Sequence, residues 1–275
     1  MFTHTTPTVE PSQDEPDKSM AVQSQSVSLA TYWQSYYHDV GDTYEYNDGL
    51  LEEKPMARQV HADMFIWFSS LIHRYLEAHP IGRVSSLAIG FETECPHKQV
   101  HRPDLAIVLH TNPIPFDPLD MKYEGIFDLC VEIMHGSCSQ DIDRTVSTKF
   151  KAYEMAGVKE YWLLSDNAQK MGFYRLNNTQ GHYQAVPLTA EGVWISRVLP
   201  AFQLRRSDLI DLPSHDGLVN DPVYAGYISP NYQRMKERAQ QQLERERQRT
   251  AQERLAKEKL MEALRQQGVD PKQFL

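Results

Sequence analysis

Three residues have the types and neighbourhoods that phosphoester chemistry requires. Asp104 follows Arg102-Pro103 and stands directly before the apolar run LAIVL, residues 105–109. Glu132 lies inside a second apolar run, IFDLCVEIM, residues 126–134. A carboxylate at the start of a buried strand, or within one, is costly unless it is paired or bound to a metal. Two of them on neighbouring strands make a site for a hard cation. Mg2+ takes oxygen ligands, keeps several waters and needs only one or two carboxylates, and Mn2+ is a plausible substitute. Such an ion activates a water and offsets the charge of a phosphodiester. Lys149, on the helix that leaves Glu132, is the candidate for stabilising the developing negative charge or orienting the nucleophile. The metal ligands would be Asp104 and Glu132, and the catalytic set Asp104, Glu132 and Lys149. A structural alternative uses the same residues: Asp104 caps a turn, and Glu132 pairs with Arg102 or Arg144.

The elements that must position these residues follow from periodicity. TYWQSYYHDV (31–40) is aromatic-rich and reads as a short helix. Asn47-Asp48-Gly49 is a turn signal between two short strands. In Ala57 to Ala78, Val60, Met64, Phe65, Phe68, Leu71, Ile72 and Leu76 recur at three and four, a helix with a broad buried face. Arg83 to Glu94 alternates in part, and the apolar runs around 105–109 and 126–134 read as buried strands. Asp141 to Ala156 carries Ile142, Val146, Phe150, Tyr153 and Ala156 on one helical stripe, and Gly157 ends it in the favoured place. EYWLLS (160–165) is a strand with Tyr161-Trp162 in the core, and Lys170 to Leu176 and Tyr183 to Pro187 are later strands. One crossover helix between the strand of Glu132 and that of Tyr161 implies a parallel pair at the centre of an otherwise antiparallel sheet. The expected fold is α/β: a mixed central sheet flanked by helices, followed by a C-terminal charged helix.

Composition excludes several function classes. The 275 residues carry a formal net charge of -9, which excludes a nonspecific basic coat for nucleic acid. The charge is uneven. Arg234 to Arg265 holds ten basic and six acidic residues, leaving 18 and 31 elsewhere. That segment is free of Gly and Pro and reads as a solvated helix or as a coiled coil whose heptad is interrupted near Arg247. No run of about 18 apolar residues and no secretory leader is seen, so no membrane partner and a cytoplasmic location are expected. Three cysteines, with no CxxC pair, do not make a disulfide scaffold. Cys95, His97 and His101 have a loose zinc-like spacing but lack a fourth ligand. Neither a Gly-rich phosphate loop nor a GxSxG elbow occurs. The expected organisation is a disordered arm (1–28), one domain (29–212), a linker (213–233), the charged helix (234–267) and a short tail (268–275).

The segments DGLLEEK, RPDLAIVL, GIFDLCVEI, TKFKAYEMAGVKEYWLL and VLPAFQLRRSDL, with the terminal LMEALRQQGVDP, resemble the restriction-endonuclease family called Uma-two. That family is a branch of the PD-(D/E)XK nuclease-like fold. The resemblance covers about residues 40–212 plus the tail. It implies a magnesium-dependent endonuclease acting on DNA, with Asp104 and Glu132 as the metal carboxylates. The lysine that the pattern places two residues after the glutamate is replaced by Met134. Members that carry it on the following helix place it four residues before a tyrosine, which Lys149 and Tyr153 match; Lys151 is the weaker rival. The acidic residue usual after the DG turn is Leu50, so Glu52 or Glu53 is the accessory candidate, and His61 aligns with a frequent family histidine. His135-Gly136 departs from the family at the loop after the glutamate strand. The competing expectation is a nuclease-like module that no longer cuts and acts in binding or assembly, as a homodimer, through its C-terminal helix.

Overall fold

The computed structural model describes residues 26–38, 44–54, 58–86, 89–94, 97–134 and 139–266. The N-terminal arm through residue 25, Cys95, Cys138, His135-Gly136 and the end of the chain from residue 267 lie outside the described residues. The chain divides into two units, Met1–Lys54 and Pro55–Leu275.

The first unit opens with the short helix α1 (Leu29–Thr31) and a π-helical turn at Tyr32–Tyr36. Strands β1 (Tyr44–Asn47) and β2 (Leu50–Glu53) then form a tight hairpin with Asn47 opposite Leu50. Asp48 and Gly49 both have positive φ, +47° and +89°. That conformation is what a two-residue hairpin turn demands and what the Asp-Gly pair permits.

In the second unit, helix α2 (Gln59–Ala78) leads to β3 (Gly82–Ser86), β4 (Gly90–Thr93), β5 (Gln99–His101), β6 (Leu105–Leu109), β7 (Lys122–Tyr123) and β8 (Leu129–Ile133). Helix α3 (Ser139–Ala156) crosses to β9 (Glu160–Leu164), and β10 (Gly172–Asn177), β11 (His182–Ala185), β12 (Val193–Ile195) and β13 (Gln203–Arg205) follow. Helices α4 (Asp208–Asp211), α5 (Ala225–Ile228) and α6 (Pro230–Gln266) complete the chain. Six strands form the main sheet in the order β11-β10-β9-β8-β6-β3. Only β8 and β9 are parallel in it, joined by α3, and every other pair is antiparallel. The single parallel pair at the sheet centre is the arrangement the crossover helix requires.

Alternation along the strands sorts the residues into two layers. Leu105, Ile107, Leu129, Val131, Ile133, Trp162 and Leu164 face α2, whose Met64, Phe68, Leu71, Ile72 and Tyr75 are fully buried among them. The opposite parity, Ala106, Val108, Cys130, Tyr161 and Leu163, packs with Tyr153 of α3 and with Phe91, Tyr123 and Phe127. Both faces are covered, which is why these strands read as continuous apolar runs. Two expectations change. Val60 is 42% exposed, and Tyr75 takes a place in the buried face of α2. Residues 213–233, expected as a linker, deliver Leu218, Tyr224, Tyr227 and Ile228 to the core. Sparse apolar residues in a polar segment give no periodic signal, so this packing was invisible to pattern reading.

An aromatic stack anchors the α2 layer. The Trp162 ring lies 4.2 Å from Phe173 at 5° and 5.5 Å from Phe202 at 16°, and Phe173 stacks on Trp194 at 4.3 Å. Trp162→Ala is expected to cost about 3–5 kcal/mol, as deletion of a large buried ring does. A lower urea midpoint with an unchanged m-value would register it.

At the end of β13, Arg205 grips Asp221 with both terminal nitrogens, at 2.8 and 3.0 Å, and reaches Asp208 at 3.0 Å. The Arg205 hydrogen bonds hold the Asp221 carboxyl below the usual carboxylate range. A depressed folded pKa contributes stability that is present above the unfolded value and is lost as pH falls through the folded one. Arg205→Gln should therefore shift acid unfolding to higher pH. The loss at neutral pH should be about 1–2 kcal/mol, reduced from the fully buried case by partial exposure.

Candidate active site

The two carboxylates are brought together by strand register. Strands β6 and β8 pair antiparallel with Leu105 opposite Val131, so the next position outward sets Asp104 opposite Glu132. Parity puts both on the α3 face of the sheet, with Ala106 and Cys130. Asp104 is 3% exposed and Glu132 7%. The Ile133 amide donates to Asp104 Oδ2 at 2.7 Å, which ties the carboxylate to the edge of β8. Lys149 Nζ donates to Glu132 Oε2 at 2.9 Å, and the Tyr153 hydroxyl donates to Glu132 Oε1 at 2.7 Å. Lys149 and Tyr153 are four residues apart on α3, so they share one face of the helix. Lys149 is thus an ion-pair partner of Glu132, one that the structural alternative with Arg102 or Arg144 did not name. Lys151 is exposed, as its rank as the weaker rival implied.

The Glu132 charge is felt strongly because the surroundings are dry. Burial pushes the Cys130 thiol well above its ordinary value, and the Glu132 charge adds to this. The Tyr161 hydroxyl is raised for the same two reasons in the same order. In such a medium a buried carboxylate demands a cation or several donors. Lys149 and Tyr153 take one lone pair on each Glu132 oxygen, and a carboxylate offers about four. Asp104 and Glu132 are thus hard oxygen donors on adjacent strands, and that donor set fits Mg2+ or Mn2+ with water completing the shell. Among the described residues no group of three or more His, Cys, Asp and Glu could hold a metal. A site here rests on two carboxylates.

Two further buried polar residues lie on β5: His101, beside Tyr153 and weighed from the sequence only as a zinc ligand, and Gln99, which the sequence pattern did not single out. His101 presents its ring edge-on to Tyr153, with centroids 5.3 Å apart at 82°, and its Nε2 lies 3.2 Å from Gln99 Oε1. Gln99 and His101 are two apart on β5 and both are 3% exposed. Two buried polar residues at strand alternation just before Asp104 were the available signal. His97 is exposed, and Cys95 lies outside the described residues.

His61, in the first turn of α2, is 2% exposed, and its Nε2 is 3.9 Å from Asp166 Oδ2. Asp166 follows β9, so this contact falls at the same strand ends as Glu132, which pairs in register with Leu163. Glu52 and Glu53 belong to the first unit, where Glu52 accepts from Asn47 Nδ2 at 2.8 Å.

The profile of the Uma2 family, described as "Putative restriction endonuclease", matches residues 30–207. A solved crystal structure of "a putative nuclease belonging to DUF820" from Anabaena variabilis is similar at 17% identity. The match covers 62% of this chain and 90% of that one, with a TM-score of 0.46. No curated protein matches the chain. Among the described residues no helix is long and apolar enough to cross a membrane.

Proposed function

Because the chain belongs to the Uma2 restriction-endonuclease family, we propose that it is a magnesium-dependent endonuclease that hydrolyses DNA phosphodiester bonds. The observation that carries this reading is the strand register that sets Asp104 opposite Glu132, with Lys149 2.9 Å from the glutamate. Asp104 and Glu132 would hold the divalent ion. When bound, the ion supplies a water of lowered pKa and offsets charge on the phosphate. The Ile133 amide fixes the orientation of Asp104, and Tyr153 fixes that of Glu132. Lys149 brings a cation to a site built of carboxylates and stabilises negative charge as it develops on the phosphate oxygens. His61 and Asp166, at the same strand ends, are candidates to orient water or substrate.

A supercoiled plasmid incubated with purified protein and MgCl2 should become nicked or linear. EDTA should block the conversion, and Asp104→Asn should be inert. A second reading, a nuclease-like module that no longer cuts, draws on Met134 at the usual lysine position and on a Glu132 already engaged by Lys149. Plasmid left intact by the wild type in both Mg2+ and Mn2+ would select that reading and overturn the first.

A further inference from the structure

Helix α6 runs from Pro230 to Gln266, and its first turns are tied down. Gln233 donates to the Val219 carbonyl, and Lys236 to Asn220 Oδ1 at 2.9 Å. From Arg234 to Leu260 every residue is exposed, with Leu243 at 50% and Leu260 at 61%. An exposed helix of this length still has a seam. Ala239, Leu243, Glu246, Thr250, Glu253, Lys257 and Leu260 are spaced 4-3-4-3-4-3, a continuous heptad track in which the middle positions are polar. Read for apolar residues alone, the track breaks near Arg247. Read for charge, it continues.

The polar middle discriminates between pairings. Two parallel copies would set Glu246 against Glu246, Glu253 against Glu253 and Lys257 against Lys257, a like-charge layer each time. In an antiparallel pair centred between Ala251 and Gln252, Leu243 meets Leu260, Thr250 meets Glu253, and Glu246 meets Lys257. Every one of these layers joins positions that antiparallel coiled coils bring together, and the Glu246–Lys257 layer occurs twice by symmetry. The register has one kind of unfavourable contact, Arg247 beside the partner's Arg254, which also occurs twice by symmetry. It lies at the solvent edge, and Arg254 already bridges Glu258 at 3.5 Å. We infer that α6 is a self-association surface whose occupant is a second copy of this chain, paired antiparallel through Leu243, Glu246, Lys257 and Leu260. The inference is independent of the nuclease reading. It would place two catalytic units at opposite ends of one rod.

Sedimentation of the full chain over a concentration series tests it. The wild type should move from 31.8 kDa towards twice that mass as concentration rises. Lys257→Glu should raise the dissociation constant at least about tenfold, because it creates two like-charge layers. The double exchange Glu246→Lys with Lys257→Glu should restore dimerisation, since it rebuilds the antiparallel pairs but would leave parallel layers mismatched. Circular dichroism of each variant verifies that the helix persists. A wild type that stays at the monomer mass at every concentration would overturn the inference. So would a Lys257→Glu variant that associates like the wild type, or a double exchange that fails to restore the dimer.

Discussion

Glu132→Gln is expected to lower phosphodiester cleavage by a factor of about 10²–10³ or more while leaving the fold intact. The amide keeps one carbonyl acceptor for Lys149. Its NH2 faces Tyr153, whose hydroxyl can rotate to accept. What disappears is the negative charge that a divalent ion would need. Glu132→Ala is a poorer probe of chemistry. It removes the acceptor of two buried hydrogen bonds, to Lys149 at 2.9 Å and to Tyr153 at 2.7 Å. Breaking a buried ion pair in this way costs about 3–5 kcal/mol, so an inactive alanine variant would mix lost catalysis with lost stability. Urea denaturation of both variants, beside their cleavage rates, separates the two effects: both should be inactive, but the glutamine variant, which keeps an acceptor for Lys149, should lose less stability than the alanine variant.

Lys149→Met should reduce the cleavage rate by about 10²–10³, the loss typical of removing one group that stabilises transition-state charge. Its effect on metal binding should have the opposite sign to that of the carboxylate variants. Lys149 is a cation 2.9 Å from a carboxylate that would bind Mg2+, so it competes electrostatically with the ion. Removing it should leave Mn2+ affinity, read by titration calorimetry, equal to or tighter than that of the wild type. Asp104→Asn should weaken the same affinity. If Lys149→Met cleaved at the wild-type rate, the lysine would be a structural partner of Glu132 and nothing more. Lys149→Arg is informative beside it: the charge is kept, but a planar fork replaces a point donor in a buried space.

Much of this site could be read from the chain, for specific physical reasons. LAIVL and LCVEI are continuous apolar runs because both sheet faces are covered, and a carboxylate within or beside such a run is conspicuous. Lys149 stood out on the helix that leaves Glu132, and its spacing of four from Tyr153 is what the family resemblance implied. Gly157, at φ +88°, marked the end of α3. Other features depend on contacts between residues far apart in sequence. The meeting of His61 with Asp166, and of His101 with Tyr153, arises only when the sheet is assembled. The burial of Tyr224 and Tyr227 is of the same kind: no periodicity in 213–233 announces it, and only the α2 face and β13 provide the surface they cover. Helix α6 differs again. Its seam was legible as apolar spacing only at its ends, because the middle of the track uses charge where a continuous coiled coil uses leucine.

The acidic balance of the chain takes a different meaning once the site is assembled. A net charge of -9 argues against a surface that attracts DNA everywhere. It does not oppose a site where two buried carboxylates would hold a divalent cation beside Lys149, since such an ion would reverse the local sign. Phosphate affinity there would depend on metal and on salt.

Crystals of the protein soaked in MnCl2 and measured at the manganese absorption edge would reveal whether the two carboxylates share a divalent ion. An anomalous peak is expected within bonding distance of carboxylate oxygens from both Asp104 and Glu132, absent in crystals of Asp104→Asn. Saturating manganese with no peak at these two residues, in a protein whose Glu132 remains closed on Lys149, would contradict a shared metal site.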